Sequence, residues 1–120
     1  MKAVIYHNPK CGTSRNTLSR LEDKGVDVEV VHYLKTPPSR ATLQELVDRM
    51  GQGVRPFLRQ RGTPFDELGL GDENLSDEAL MDALESHPIL LNRPVVSTEL
   101  GVRVCRPPET VDEILPGGAA

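Results

Sequence analysis

The chain has 120 residues, enough for one domain with a single core, and its 38% hydrophobic and 27% charged residues are a globular balance, which excludes a disordered chain. A formal net charge of −4 at pH 7 excludes bulk attraction to nucleic acid, so an anion site here requires a local concentration of arginine. Two cysteines, Cys11 and Cys105, are too few for a disulfide framework and lack metal-ligand spacing.

The apolar run Ala3-Val4-Ile5-Tyr6 reads as a buried strand. It is too short for a signal peptide or a membrane span, so a cytoplasmic protein is expected. The turn His7-Asn8-Pro9-Lys10-Cys11-Gly12 follows, then a helix over Ser14–Lys24 with Leu18 and Leu21 inside, Thr13 or Ser14 as N-cap and Gly25 at its C-terminal end. Val26 to Tyr33 alternates like a strand, which completes a β-α-β unit with parallel strands. Pro37-Pro38 breaks the chain, and Ser39 to Met50 is helical through Leu43, Leu46, Val47 and Met50. Pro56, Gly62, Pro64 and Gly69 reduce the stretch 54–70 to short helical turns.

Ser76 caps a further helix, with Asp77 and Glu78 in its favourable first turn; it ends near Ser86, before His87-Pro88. Pro94–Thr98 and Val102–Cys105 form a hairpin around Glu99-Leu100-Gly101, and Pro107-Pro108 opens a last helix carrying Val111, Ile114 and Leu115. The tail Pro116–Ala120 is expected to fray. The order is β-α-β, a helical insertion at about 39–86, then β-β-α. It describes one α/β domain over 1–120 with a small mixed sheet flanked by helices, in the thioredoxin-like order.

Cys11 lies between a strand end and a helix start, where free backbone N–H groups and the helix dipole favour a thiolate and any bound oxyanion. Gly12 lets backbone approach a ligand, a protonated His7 would lower the Cys11 pKa, and Ser14 can hydrogen-bond the sulfur. In Cys11-Gly12-Thr13-Ser14 the second position of a C-x-x-C pair is serine, so no internal disulfide forms at that spacing and a redox cycle needs another thiol. Cys105 reads as a packed residue at a strand end, His32 as a strand residue at a polar edge, and Arg15 equally as anion ligand or helix surface.

The segment from His7 to Asn16 resembles the active-site loop of the glutaredoxin-coupled, ArsC-type arsenate reductases. So do His87-Pro88-Ile89-Leu90-Leu91-Asn92-Arg93-Pro94-Val95-Val96, Leu100 to Pro107, and Val54 to Arg59 with Glu67-Leu68-Gly69-Leu70. The resemblance implies that Cys11 is the nucleophile, that His7 and Ser14 support its thiolate, and that Arg59, Arg93 and Arg106 surround arsenate. It implies a cis peptide at Pro94, glutathione or another low-molecular-weight thiol as co-substrate, and glutaredoxin as partner; no tightly bound cofactor or metal is expected, and a monomer is the expected state. Arginine suits these roles because its planar, permanently charged fork matches a tetrahedral oxyanion.

Three alternatives are weighed beside it. Phosphatase-type loops need Cys-x-x-x-x-x-Arg, and position 17 is Thr. A non-enzymatic regulator of the Spx type shares the fold but typically carries the C-x-x-C switch that Ser14 interrupts. A family member acting on another oxyanion is compatible with the same residues.

Overall fold

The computed structural model describes residues 1–117. In chain order its elements are β1 (Lys2–His7), α1 (Gly12–Asp23), β2 (Asp27–His32), α2 (Arg40–Met50), a 3₁₀ helix (Arg55–Phe57), α3 (Asp77–Ser86), a second 3₁₀ helix (Pro88–Leu90), β3 (Val95–Thr98), β4 (Gly101–Val104) and a third 3₁₀ helix (Pro108–Ile114). The backbone falls into two compact units: Met1–Thr36 with the chain from Arg93 onward, and Pro37–Asn92.

The first unit is a four-stranded sheet in the order β2-β1-β3-β4. β1 pairs with β2 in parallel and with β3 antiparallel, and β3 with β4 antiparallel, so the sheet is mixed as expected. Its core joins Ala3, Ile5, Leu21, Val96, Cys105, Val111, Ile114 and Leu115, with Leu18, Val26 and Val28 packed against them. Each large aliphatic side chain buried there contributes about 1.5–3 kcal/mol. β2 is an edge strand, which is why Val30, on the same strand face as Val28, remains 37% exposed.

The register brings the chemistry to one end of the sheet. β1 stops at His7, which is level with His32 at the end of β2, so Asn8 and Tyr33 continue from neighbouring strand ends. β3 starts at Val95 opposite Tyr6, and β4 finishes at Val104 opposite Val95, which places Arg93 and Arg106 at that same end. The Arg93–Pro94 peptide is cis, as the resemblance implies, and so is Arg106–Pro107, which was not anticipated.

Two boundaries differ from expectation. The helix α1 begins at Gly12 with Cys11 as its N-cap, two or three residues before the expected Thr13 or Ser14. The Ser14 hydroxyl is engaged with residues before the helix and does not cap it. The last helix is 3₁₀ and not α, entered from extended backbone at Pro107. Of the tail expected to fray, residues 118–120 lie outside the described residues.

The second unit holds α2 and α3. Ser39 and Ser76 cap them through Thr42 N–H and Ala79 N–H at 3.1 Å each, and Gly51 ends α2 in the left-handed conformation that glycine adopts without strain. Leu43, Leu46, Val47 and Met50 of α2 and Leu80, Met81 and Leu84 of α3 are buried, and 54–70 forms a 3₁₀ turn and tight turns in place of a long helix.

Candidate functional site

The loop from His7 to Gly12 is built around Asn8. Its carbonyl accepts the Cys11 N–H at 3.0 Å and its Oδ1 accepts the Lys10 N–H at 3.0 Å. Its own N–H donates to Ser14 Oγ at 3.1 Å. Arg15 fastens the outside of the loop, donating to the Pro9 carbonyl at 2.8 Å. A Cβ added at Gly12 would meet only Arg15 Nη2 at 3.7 Å, so packing does not demand glycine there.

As N-cap, Cys11 presents its sulfur where a capping side chain would accept from the third helical N–H, that of Ser14. The sulfur makes no capping bond of standard geometry. Arg106 Nη1 lies 3.7 Å from Cys11 Sγ and also donates to the Arg93 carbonyl at 3.0 Å. Burial is the largest single influence on the thiol and opposes ionisation; the Ser14 N–H, hydrogen bonds from Arg93 and Arg106, and the charge of Arg93 together outweigh it, and the pKa falls to about 7. Cys11 is partly exposed, so the thiolate is reachable.

His7 departs from its expected role. It is 5% exposed, and burial first, then the charges of His32 and Arg15, hold its pKa below the ordinary value. It is therefore neutral at pH 7 and does not supply a positive charge to Cys11. Its Nδ1 sits 2.6 Å from Ser14 Oγ, and its ring meets His32 edge-on at 5.8 Å between centroids. Ser14 acts in two ways: its backbone N–H, without a capping bond of standard geometry, helps lower the Cys11 pKa, while its hydroxyl ties His7 to Asn8.

Of the six expected site residues, the first unit brings together Cys11, His7, Ser14, Arg93 and Arg106. Arg59 belongs to the second unit, where its Nε donates to the Arg61 carbonyl at 3.1 Å and its N–H to the Leu90 carbonyl at 2.7 Å. Cys105 is buried in the core, its Sγ 3.7 Å from the Arg103 carbonyl, and burial pushes its pKa up to about 12. It is a packed thiol, as its strand-end position suggested. Asn8 was not singled out from the sequence; its signal is the Asn-Pro pair, which favours just such side-chain-closed turns.

The arrangement is a low-pKa thiolate beside two guanidinium groups, equipped to attack an electrophilic centre carrying anionic oxygens. Residues 6–114 match the model described as the ArsC family. The chain is 56% identical over 97% of its length to an arsenate reductase of Rhizobium meliloti, 83% of which is covered. It is 52% identical over 94% of its length to an arsenate reductase of Escherichia coli, 80% of which is covered. A solved arsenate reductase from Vibrio cholerae superposes with a TM-score of 0.90 at 46% identity, covering 96% of this chain and 98% of that one.

Proposed function

The chain belongs to the ArsC family, and on that premise we propose that it reduces arsenate to arsenite through Cys11. The observation that carries the reading is the contact of Arg106 with the Cys11 sulfur, with Arg93 beside it, at a thiol whose pKa is about 7. At neutral pH about half of such a thiol is already the nucleophile.

The Cys11 thiolate attacks arsenic, and one arsenate oxygen leaves as water after taking up protons from solution. Arg93 and Arg106 hold the remaining oxygens and neutralise charge that develops on them. Arg59 is proposed as the third arginine on the strength of its match to the family pattern. Glutathione, or another low-molecular-weight thiol, then adds to the arsenylated cysteine, and glutaredoxin resolves the mixed adduct. The two external thiols leave joined as a disulfide and give two electrons to arsenic, which passes from +5 to +3. Arsenite departs, and Cys11 returns as a thiolate.

Ser14 supports the need for external thiols, since it stands where an internal resolving cysteine would be and its hydroxyl is committed to His7 and Asn8. The same feature disfavours a C-x-x-C redox regulator. Phosphate fits the same arginines but is not reduced by thiols, so discrimination rests on redox chemistry as much as on fit. No tightly bound cofactor is invoked. The enzyme is proposed to work as a monomer in the cytoplasm, where such thiols are supplied. No helix among the described residues is long and apolar enough to cross a membrane.

The deciding experiment is arsenite formation by the purified protein with glutathione and glutaredoxin, beside Cys11→Ser. Turnover abolished by the substitution is the expected result. No turnover with any thiol system, or full turnover in the variant, would overturn the proposal.

A further inference from the structure

Tyr33 stands one residue past β2, at the sheet end that carries the Cys11 loop. It is 0% exposed, and its hydroxyl oxygen has no hydrogen-bond partner among the described residues. Arg93 and Cys11 act on it through charge, and Asn8 and Arg93 are the polar side chains near enough to influence it as hydrogen-bonding groups, though neither meets its oxygen in hydrogen-bonding geometry. Burial first raises the phenol pKa, with Arg93 and Asn8 opposing, so the hydroxyl keeps its proton at neutral pH. A buried O–H left without an acceptor carries an uncompensated desolvation cost, which a phenylalanine at the same place would avoid.

The neighbours do not relieve that cost. A guanidinium has five donors and no acceptor, so Arg93 cannot receive the proton. The Asn8 amide oxygen accepts the Lys10 N–H at 3.0 Å, and the Tyr33 hydroxyl does not meet it in hydrogen-bonding geometry. The Tyr33 O–H is therefore a buried donor without an acceptor on the side of the fold that carries the nucleophilic sulfur and two guanidinium groups, a combination suited to an anionic oxygen.

We propose that the Tyr33 hydroxyl is a substrate-binding donor, which gives its hydrogen bond to an oxygen of the oxyanion held by Arg93 and Arg106. The inference rests on the oxyanion reading above and adds a neutral, directional donor to it. Such a donor fixes the rotation of a tetrahedral anion that charge alone leaves free.

The test is protection of Cys11 from iodoacetamide by inorganic phosphate and by arsenate, without thiols, in wild type and Tyr33→Phe. The concentration giving half-protection is expected to rise about ten-fold in the variant, the size of one lost hydrogen bond to a charged group. The pH midpoint of alkylation without anion should stay near 7. A merely structural role would lower the unfolding temperature without selectively weakening protection.

Should Tyr33→Phe fail to fold, 3-fluorotyrosine in the otherwise unchanged protein replaces it. With only two tyrosines, Tyr6→Phe assigns the fluorine signals, and the Tyr33 signal is expected to shift with phosphate. Equal half-protection in both proteins, or a Tyr33 signal unmoved by phosphate that does protect Cys11, overturns the role of Tyr33 and leaves the reductase reading standing. Wild type unprotected by either anion overturns the oxyanion site and this inference with it. Tyr33-dependent protection without arsenite formation upholds the inference and sinks the reductase reading alone.

Discussion

Arg106 meets the Cys11 sulfur at 3.7 Å across ninety-five residues of chain. The contact exists because β4 and the Cys11 loop finish at the same end of the sheet, and because the Arg93 carbonyl holds the same guanidinium nitrogen at 3.0 Å. The nucleophile is thus activated by the far end of the fold as well as by its own loop.

Removing that contact should show twice. In Arg106→Ala the alkylation midpoint of Cys11 moves up from about 7 toward that of an ordinary thiol. The kcat/KM for arsenate falls about 10- to 100-fold, the equivalent of a charge-assisted hydrogen bond worth roughly 1.5–3 kcal/mol. Arg106→Lys keeps the charge but not the fork and should recover only part of the loss. An unchanged alkylation profile in Arg106→Ala would refute the activation.

Stability should record the thiolate as well. The folded pKa of Cys11, about 7, lies below its ordinary 9.0, so its contribution is fully present above pH 9 and is lost as pH falls through 7. A shift of that size corresponds to at most roughly 2–3 kcal/mol, and solvent screening at this partly exposed thiol reduces it. Cys105, pushed up to about 12, acts in the opposite sense above pH 9, where only the unfolded thiol ionises. Urea unfolding of wild type against Cys11→Ser isolates the first effect. The difference between them should shrink as pH falls from 9 to below 7, and parallel curves would contradict it.

His7 gives a prediction of contrary sign to its first reading. Its folded pKa lies below 6.5, so it stabilises as the neutral ring, and stability is lost as pH falls below 6.5 and the unfolded chain takes the proton more readily. His7→Gln should flatten that acid limb and cost about 1–2 kcal/mol through the disturbed Ser14 pair. It should move the Cys11 alkylation midpoint far less than Arg106→Ala does. A large upward move in His7→Gln would restore the charged-histidine account.

Away from the site, Asp112 accepts from Arg20 at 2.6 Å and pairs with Lys24 at 3.0 Å, clamping the last 3₁₀ helix to α1. The Arg20 hydrogen bond chiefly holds its carboxyl down at about 2, so this stabilisation is present above pH 3.8 and disappears as pH falls through 2. Arg20 is 37% exposed, so solvent screens the pair, and Asp112→Asn should cost only about 0.5–1 kcal/mol. The cost should shrink in 1 M salt; a salt-independent loss would point to packing instead.

Much of this was legible because local chemistry and topology agree. Ser76 reads as a cap and is one, Ser39 opens the expected helix and proves to be its cap, and the apolar runs at 3–6, 95–98 and 102–105 become strands or their immediate ends. The Cys11 turn was legible from its Gly and Pro content. What stayed hidden depends on groups distant in sequence. The charge state of His7 is set by burial and by His32, which only the parallel β1–β2 register brings alongside. The start of α1 was misplaced because Ser14 reads as a cap, whereas His7 and Asn8 claim its hydroxyl. Tyr33 passed as one more strand aromatic, since nothing local shows that its hydroxyl is enclosed.

The three bonds that Asn8 makes within the 8–14 turn bear finally on the timing of catalysis. A turn closed by its own amide and side chain loses its backbone freedom when the protein folds. An arriving anion therefore meets a shape already made and need not spend binding energy on ordering it. Association should then be limited by diffusion and the local arginine field, and the slow steps should fall to the thiols that arrive afterwards.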